Sequence, residues 1–247
     1  MSESIVYGIH AVEAALKRNT LGRLWLLRGR SNHRLEVLAA EAAKRNVPLE
    51  RLPRDELERL AGAATHQGAV GEVHAAPPGN EQTLEALLDE LDGPPFLLVL
   101  DGVQDPHNLG ACLRSAAAAG AHAVIAPRDR AVSLTPAARK VASGAAEIVP
   151  FVQVTNLART LRSLKERGIW TVGLAGEADQ PLYDFDLAGP LALVLGAEGG
   201  GLRRLTKERC DFLARIPMTD AVASLNISVS AGIALFEAVR QRRTPPI

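Results

Sequence analysis

Residues 96–119 have the sequence FLLVLDGVQDPHNLGACLRSAAAA, and this stretch contains the pattern that decides the fold. The uninterrupted apolar run 96–100 predicts a strand that is buried on both faces. Pro106 marks a turn after this strand, and residues 108–119 have the spacing of a helix. A strand that leads through a short turn into a helix is the repeating unit of an α/β fold with a parallel sheet.

The same alternation continues toward the C-terminus. Further apolar runs of strand length lie at residues 121–126, 147–151, 169–174, 191–195 and 212–216. Segments with helical spacing lie at residues 136–143, 156–167, 202–209 and 227–240. We therefore predict an α/β domain with a mainly parallel sheet, in which ligands bind beyond the carboxyl ends of the strands. This places the expected chemistry in the loops after Leu100, Leu195 and Ile216.

A hinge is predicted at Ala76-Pro77-Pro78-Gly79-Asn80, because proline removes backbone donors and the Gly-Asn pair favours a turn. Before it, strand-like runs and a helical pattern that Ser31 or Asn32 would cap predict a small α/β domain. After it, the sequence predicts a short acidic helix. The predicted division is a first domain over residues 1–76, a linker with the acidic helix over 77–95, and a second domain over 96–247.

The charges of the chain are balanced overall but unevenly distributed. Its 247 residues include 28 Lys and Arg and 28 Asp and Glu, a total that does not favour a nucleic-acid partner. Six basic residues and no acidic one, however, lie between Glu13 and Glu36. This run is a candidate RNA-binding surface with Trp25 as the candidate stacking group; the alternative is a solvated helix face followed by a basic loop. The six residues are Lys17, Arg18, Arg23, Arg28, Arg30 and Arg34.

Several classes of protein are excluded by what the sequence lacks. Its two cysteines, Cys112 and Cys210, make neither a disulfide framework nor a ligand pair, and its six histidines lack metal-ligand spacing. The N-terminus has no signal-peptide pattern, and the apolar runs are far shorter than the roughly 20 residues that span a bilayer. We predict a soluble cytoplasmic protein without a metal site or a membrane partner.

All three loops carry polar side chains, and the first two hold a charged residue each that is a candidate for chemistry. Asn108 and Arg114 follow the first strand, but six residues along a helix place them on different sides. The second loop, residues 196–201, has glycine at four of six positions, which lets a ligand approach the backbone. It matches neither GxxxxGK[ST] nor GxGxxG, which disfavours a nucleotide-dependent oxidoreductase. Glu198 in this loop needs hydrogen-bond donors, and Arg114 is the natural partner.

The third loop holds Ser224 and Asn226, directly before the helical pattern 227–240. Both residue types are good N-caps, so helix capping is as well supported here as chemistry. The three loops together offer no nucleophile paired with a base in the Ser–His or Cys–His manner. Covalent hydrolase chemistry is therefore not supported.

Three motifs, in this order, resemble those of the SpoU branch of the SPOUT RNA methyltransferases. They are NLGACLR at 108–114, LGAEG at 195–199, and IPM at 216–218 with SLNIS at 224–228. The sequences YGIHAV at 7–12 and THQG at 65–68 are similar to members of this family that methylate guanosine in 23S rRNA. The resemblance covers the predicted second domain and extends into the first.

The resemblance implies a fold, a cofactor and a set of site residues. The first domain is expected to be L30e-like and to hold RNA, and the second to be a SPOUT domain with a deep trefoil knot around an S-adenosylmethionine pocket. No metal is implied. The resemblance assigns Gly196, Ile216 and Leu225 to the pocket and Asn108, Arg114, Glu198, Ser224 and Asn226 to catalysis, in a site completed across a homodimer.

The implied activity is S-adenosylmethionine-dependent 2′-O-methylation of a guanosine in the peptidyl-transferase loop of 23S rRNA, free or in a large-subunit precursor. Because the motifs do not encode the target, a tRNA ribose 2′-O-methyltransferase and a catalytically idle RNA-binding protein on the same scaffold are the alternatives. The ribose hydroxyl has to attack the methyl group in line and lose its proton. We predict that Arg114 orients ribose and phosphate, that Glu198 holds Arg114, and that Asn108 and Asn226 shape the site.

Overall fold

The computed structural model describes residues 3–29, 32–62, 66–74, 77–219, 221–222 and 224–243. The chain forms two compact units. The first consists of the described residues up to Pro77 together with Ser143–Ile148, and the second of Pro78–Ala142 and the described residues from Val149 onward. Residues 78–95, which the sequence interpretation treats as a linker, lie in the second unit.

The first unit is a mixed sheet with helices on both faces. Its elements are β1 Glu3–Tyr7, α1 Ile9–Lys17, β2 Leu21–Leu27, α2 His33–Lys44, β3 Leu49–Leu52, α3 Arg54–Ala61 and β4 Ala69–His74. The strand order among the described residues is β1-β4-β2-β3, with β4 antiparallel to both neighbours. Successive residues of β2 point to opposite faces. Leu24 and Leu26 therefore pack with α1 and α2, and Trp25 packs with Leu57 of α3.

The sequence interpretation finds β2, α2 and β4 but misses the other elements of this unit. β3 buries only Leu52 and α3 only Leu57, so neither carries an apolar period. β1 was also not predicted. α1 is different, because its buried residues, which include Val12, Ala15 and Leu16, have the helical spacing that the interpretation overlooked. Asn32, one of the two residues predicted to cap α2, does so by accepting a hydrogen bond from the backbone nitrogen of Arg34.

The second unit contains a parallel sheet, which confirms the predicted fold class. Its strands are β5 Phe96–Asp101, β6 Ala123–Pro127, β7 Phe151–Val154, β8 Trp170–Leu174, β9 Leu191–Gly196 and β10 Phe212–Ala214. Its helices are α4 Glu81–Glu90, α5 Pro106–Ala119, α6 Pro136–Ala142, α7 Leu157–Glu166, α8 Arg204–Arg209 and α9 Ile227–Arg243. The strand order is β10-β8-β9-β5-β6-β7, and each pairing is parallel. Every residue of β5 is buried, as its apolar run predicts.

The strand predicted at residues 147–151 is wrong. Ala145–Glu147 forms a 3-10 turn, and β7 begins only at Phe151. The Arg18 guanidinium donates to the carbonyl oxygens of Ala146 and Ile148, both at 3.5 Å, so this segment packs within the first unit. A short apolar run has the same composition whether it forms a strand or a turn, which explains the error.

The predicted hinge is also different in the structure. Gly79 donates from its backbone nitrogen to Phe151 at 2.9 Å and accepts from the nitrogen of Gln153 at 2.8 Å, which extends the sheet edge beside β7. Asn80 then caps α4 by accepting from the nitrogen of Thr83 at 3.1 Å. Gly79 and Asn80 therefore belong to the second unit, which begins at Pro78. Ala76, at the predicted boundary, lies outside the described residues.

The strand order of the parallel sheet bears on the expected knot. β9 is inserted between β8 and β5. Strand order alone does not define a knot, so the trefoil knot that the resemblance implies stays a prediction.

No helix in the described ranges has both the length and the apolar character needed to cross a membrane.

Candidate active site

Three loops meet at one edge of the parallel sheet. β5 and β9 are neighbours and pair in register up to Asp101 and Gly196. The loop into α5 and the glycine loop, residues 197–201, therefore begin side by side. The third loop leads from β10 to α9, and α9 packs against α5 and β9. The fold thus brings together the three segments that the sequence singles out.

Glu198 is bound by two asparagines. Its Oε1 accepts hydrogen bonds from Nδ2 of Asn108 at 2.6 Å and from Nδ2 of Asn226 at 2.7 Å. Asn226 Nδ2 also donates to Oδ1 of Asn108 at 3.0 Å. Hydrogen bonds to an ionised acceptor are stronger than those between neutral groups. The three side chains, one from each loop, form a connected group that we call the Glu198 cluster.

Both asparagines lie at the start of a helix, but only one of them is a cap. Asp105 caps α5, so the side chain of Asn108 is available for Glu198. Asn226 Oδ1 accepts from the nitrogen and the hydroxyl of Ser228 at 2.8 and 2.6 Å, which caps α9. Its amide nitrogen donates to Glu198 at the same time. Capping and site geometry are therefore combined in Asn226.

Arg114 lies outside the Glu198 cluster. It stands six residues after Asn108 on α5, which turns its side chain by about 240° around the helix axis. The side chain is exposed and makes no hydrogen bond or ion pair with any described residue. Within one chain the predicted pairing of Glu198 with Arg114 does not form, because the two asparagines supply the donors to the carboxylate. Between two chains the pairing stays a prediction.

The glycine loop, residues 197–201, is a tight turn. Ala197 and Gly201 exchange backbone hydrogen bonds of 3.1 and 2.9 Å. Gly199 and Gly201 have φ values of 73° and 60°, a region that favours glycine. Gly196 has a different constraint, since a Cβ at this position would overlap the backbone of Gly201. The closed turn fixes the position from which Glu198 reaches the asparagines.

A buried carboxylate secures the end of this loop. The Asp101 side chain is fully buried at the end of β5 and accepts from Arg203, from its backbone nitrogen at 2.9 Å and its Nε at 2.5 Å. A buried charge requires such partners. Because Asp101 lies beside Gly196, this pair ties the residues after the loop to the neighbouring strand. The sequence interpretation assigned no role to either residue of the pair.

A cavity of about 560 Å³ adjoins the Glu198 cluster. Its described lining includes the predicted site residues Gly196, Glu198, Ile216, Ser224 and Leu225. One wall was missed, formed by the last residue of β8 with the turn that follows it, residues 174–177, and by Lys207 of α8. The sequence prediction covered only the loops after three other strands. The polar side chains of Glu177 and Lys207 were the signal in the sequence that could have added the residues after β8 and on α8 to the predicted site.

Cys112 lies within the first motif but is not a nucleophile. Burial raises the pKa of its thiol to about 12. The thiol is therefore protonated at neutral pH, and the thiolate is the reactive form of cysteine. In the described part of the chain, no group of three or more His, Cys, Asp or Glu side chains is placed to hold a metal ion.

Two family models match this chain. The model described as the SpoU rRNA methylase family matches residues 95–236, a range that contains the Glu198 cluster and the described lining of the cavity. The chain belongs to the SpoU rRNA methylase family. A second model, described as RNA 2′-O ribose methyltransferase substrate binding, matches residues 5–79.

SpoU family relatives match over nearly the whole chain. The 23S rRNA (guanosine-2′-O-)-methyltransferase RlmB of Pseudomonas putida is 55% identical over 240 residues, which are 96% of each chain. The protein of the same name from Ralstonia nicotianae is 52% identical over 252 residues, covering 100% of this chain and 99% of its own.

Solved structures of SpoU methyltransferases have the same fold. AviRb from Streptomyces viridochromogenes, in complex with the cofactor AdoMet, gives a TM-score of 0.70 at 25% identity, covering 97% of this chain and 90% of its own. The A. aeolicus TrmH/SpoU tRNA modifying enzyme gives 0.55 at 29% identity, covering 66% of this chain and 83% of its own.

The basic run of this SpoU family chain does not form one patch. Arg23 lies on the α3 side of the first sheet, with its guanidinium 5.8 Å from the ring centre of Trp25. Lys17 and Arg34 belong to α1 and α2, which cover the other side. Trp25 is only 6% exposed and packs in the core, so its predicted role in base stacking is wrong.

Two other members of the run bind the main chain of the first unit. Arg18 contacts the 3-10 turn described above, and burial lowers the pKa of its guanidinium. Arg28 donates to the carbonyl oxygen of Arg51 at 3.1 Å while its side chain stays exposed. Arg30 lies outside the described residues. The exposed arginines of the run that the structure describes are Arg18, Arg23, Arg28 and Arg34, of which Arg18 and Arg28 bind main-chain oxygens.

Proposed function

We propose that this chain transfers a methyl group from S-adenosylmethionine to the ribose 2′-hydroxyl of a guanosine in 23S rRNA, within the peptidyl-transferase loop. The observation that carries the proposal is the Glu198 cluster at the edge of the 560 Å³ cavity. The RlmB relatives, at 52–55% identity over nearly the full chain, support the rRNA guanosine target.

The residues of the cavity fit S-adenosylmethionine. Its volume lies in the range of small-molecule sites. Gly196 and the glycine loop supply a wall of main chain that no side chain blocks, and Ile216 and Leu225 supply apolar surface. These three residues are the ones that would hold the cofactor, as the sequence predicts. When bound, S-adenosylmethionine supplies an activated methyl group on a sulfonium.

The chain's own residues position the ribose that is methylated. The Glu198 cluster presents amide and carboxylate groups in a fixed arrangement at the exposed edge of the cavity, where an RNA strand has access. Pre-positioning of the reactants accounts for a large part of the catalysis of such bimolecular transfers. Ser224 lines the cavity and is exposed, so we assign it to the same surface. Arg114 carries the positive charge that orients the phosphate and ribose.

The position of Arg114 supports a site that is completed in a homodimer. An exposed guanidinium that faces away from the Glu198 cluster of its own chain is free to act on the cluster of another chain. α9, which packs against α5, exposes Val229 at 48% and Phe236 at 49%. These residues are seven positions apart and lie on one side of the helix. We propose that this apolar face of α9 contributes to the dimer interface.

Replacing Val229 and Phe236 together with aspartate is expected to convert dimers into monomers and to reduce methylation at least tenfold. Two charges would have to be desolvated in an apolar interface. Analytical ultracentrifugation measures the mass, and transfer of labelled methyl groups measures activity. Leu205→Asp, at a position of α8 that is 52% exposed, is the matched control and is expected to leave the mass unchanged. A V229D/F236D protein that sediments as a dimer would place the interface elsewhere.

We also propose that the first unit holds the RNA and the second carries out catalysis, as the division at residues 1–76 and 96–247 implies. The match of residues 5–79 to a substrate-binding model supports this assignment. The basic residues best placed for RNA are Arg23 and Arg28, because Lys17 on the opposite side is already paired with Glu13 at 2.9 Å. A cytoplasmic location fits an rRNA substrate and stays part of the proposal.

Charge reversal at Arg23 and Arg28 is expected to weaken RNA binding and to flatten its salt dependence. Each lost phosphate contact reduces the slope of log K against log salt by roughly 0.7 to 0.9. Binding to a 23S rRNA fragment at several salt concentrations measures both effects. The variant K17E/R34E, on the other side of the sheet, is the control with unchanged slope. If K17E/R34E reduced the slope and the reversal at Arg23 and Arg28 did not, RNA would bind on the side of α1 and α2.

Purified protein and labelled S-adenosylmethionine, incubated separately with 23S rRNA and with tRNA, test the proposed activity. We expect label only in 23S rRNA, on one guanosine ribose of the peptidyl-transferase loop. Label in tRNA alone would favour the function of the A. aeolicus neighbour. An absence of label from both RNAs, together with RNA binding, would indicate an idle scaffold.

A further inference from the structure

Two carboxylates are found among the described residues that line the cavity, Glu177 and Glu198. Glu198 is already bound by two asparagines in the Glu198 cluster. Glu177 makes its side-chain contact with Lys207, another lining residue, through Oε1. The carboxylate also contacts the backbone nitrogen of its own residue, and no other side chain of the described residues donates to it. Glu177 therefore offers an acidic acceptor toward a ligand in the cavity.

The turn that carries Glu177 is anchored on both sides. The backbone nitrogen of Ala175 donates to Ala214 of β10 at 2.9 Å. The guanidinium of Arg215 donates to the carbonyl oxygen of Ala178 at 2.8 Å. Ala178 in turn donates from its nitrogen to Ala175 at 3.1 Å, which closes the turn. Glu177 thus projects from backbone whose position is set by β10 and by the residue that follows it.

Lys207 is the charged partner of Glu177. Its hydrogen bond is the main cause that lowers the pKa of the Glu177 carboxyl, a group that is ionised at neutral pH even at its ordinary pKa. The same ammonium neutralises the carboxylate and would repel a second cation placed beside it. An uncharged group that donates two hydrogen bonds meets no such repulsion.

We propose that Glu177, oriented by Lys207, accepts hydrogen bonds from the two ribose hydroxyls of S-adenosylmethionine, an assignment that rests on the proposed function. A carboxylate that accepts from a ribose hydroxyl is a general solution for nucleoside recognition in α/β folds. The alternative contact for an acidic residue is the ammonium of the methionine part of the cofactor. The first contact requires the ribose of the ligand, and the second requires its amino group. A ligand that has the ribose but lacks the amino group therefore separates them.

Calorimetric titration of the full chain with S-adenosylhomocysteine and with 5′-methylthioadenosine, which keeps the ribose but lacks the amino-acid part, tests the assignment. Glu177→Gln is expected to weaken both ligands by about tenfold, since hydrogen bonds to charged groups are the stronger class. Lys207→Met is expected to weaken both by about threefold through lost orientation. Loss of affinity for S-adenosylhomocysteine alone would show that Glu177 binds the ammonium and would overturn the proposal.

The controls separate this inference from the proposed function. Glu208→Gln removes an ion pair with Arg204 on the same helix, outside the cavity, and is expected to leave both affinities unchanged. Thermal unfolding midpoints are expected to be equal for all variants. If the unmodified chain binds and Glu177→Gln binds equally well, the assignment of Glu177 is wrong and the proposed function stands. If the unmodified chain binds neither ligand, the proposed function itself is contradicted.

Discussion

Replacing Gly196 with alanine is expected to abolish binding of S-adenosylmethionine and to destabilise the protein by about 3 kcal/mol. The added Cβ would overlap the backbone of Gly201 and Leu202. This backbone cannot give way, because the Ala197–Gly201 hydrogen bonds close the loop and the Asp101–Arg203 pair anchors its end. Calorimetric titration with S-adenosylhomocysteine measures binding, and thermal unfolding measures stability.

Gly200→Ala is the matched control for this prediction. Gly200 lies in the same loop and does not have a positive φ, and a Cβ added to it would meet no atom within 4 Å. We therefore expect wild-type affinity and stability. A Gly196→Ala protein that binds the cofactor normally would contradict the role assigned to the glycine loop.

Replacing Arg114 with alanine is expected to reduce kcat for methylation by about 10²- to 10³-fold, the usual loss when a group that stabilises charge in the transition state is removed. Cofactor affinity and the unfolding midpoint are expected to stay unchanged, because the exposed guanidinium binds no other described residue. Arg114→Lys is expected to recover part of the activity, since it keeps the charge but loses the planar fork of donors. Single-turnover kinetics, titration calorimetry and thermal unfolding measure the three quantities.

Mixed dimers distinguish the two ways in which Arg114 can act. If each arginine serves the partner's cluster, a dimer of one R114A chain and one E198A chain contains one intact site and one doubly defective site. Activity well above that of either parent is then expected. If Arg114 serves its own chain, both sites are defective and mixing restores nothing. Arg162→Ala, an exposed arginine of α7, is the control for surface charge. Normal turnover by R114A would remove Arg114 from the mechanism.

The sequence allowed the catalytic sheet to be predicted because its strands are buried on both faces. β5 has no exposed residue, and such a run is visible in a single sequence. The small elements β3 and α3 bury one residue each and left no comparable signal. A strand and a 3-10 turn differ in backbone path and not in composition, so the apolar run around Ile148 was misassigned.

The candidate site was predictable as a set of residues, but its connections were not. Strand order places Asp101 beside Gly196, although the two residues are far apart in sequence. The partners of Glu198 depend on this order and on the return of α9 across α5, neither of which follows from local periodicity. Trp25 was misassigned for a related reason, since only the packing of α3 shows that its ring is covered.

The Glu198 cluster also has a consequence for the order in which the protein is made. Asn226 lies 118 residues after Asn108 and is the last of the three to leave the ribosome. In a nascent chain that ends before Asn226, Glu198 lacks one of its two donors and α9 lacks its cap. On the proposed role of the Glu198 cluster, we therefore expect a chain under synthesis to lack activity until residue 226 has emerged and α9 can dock.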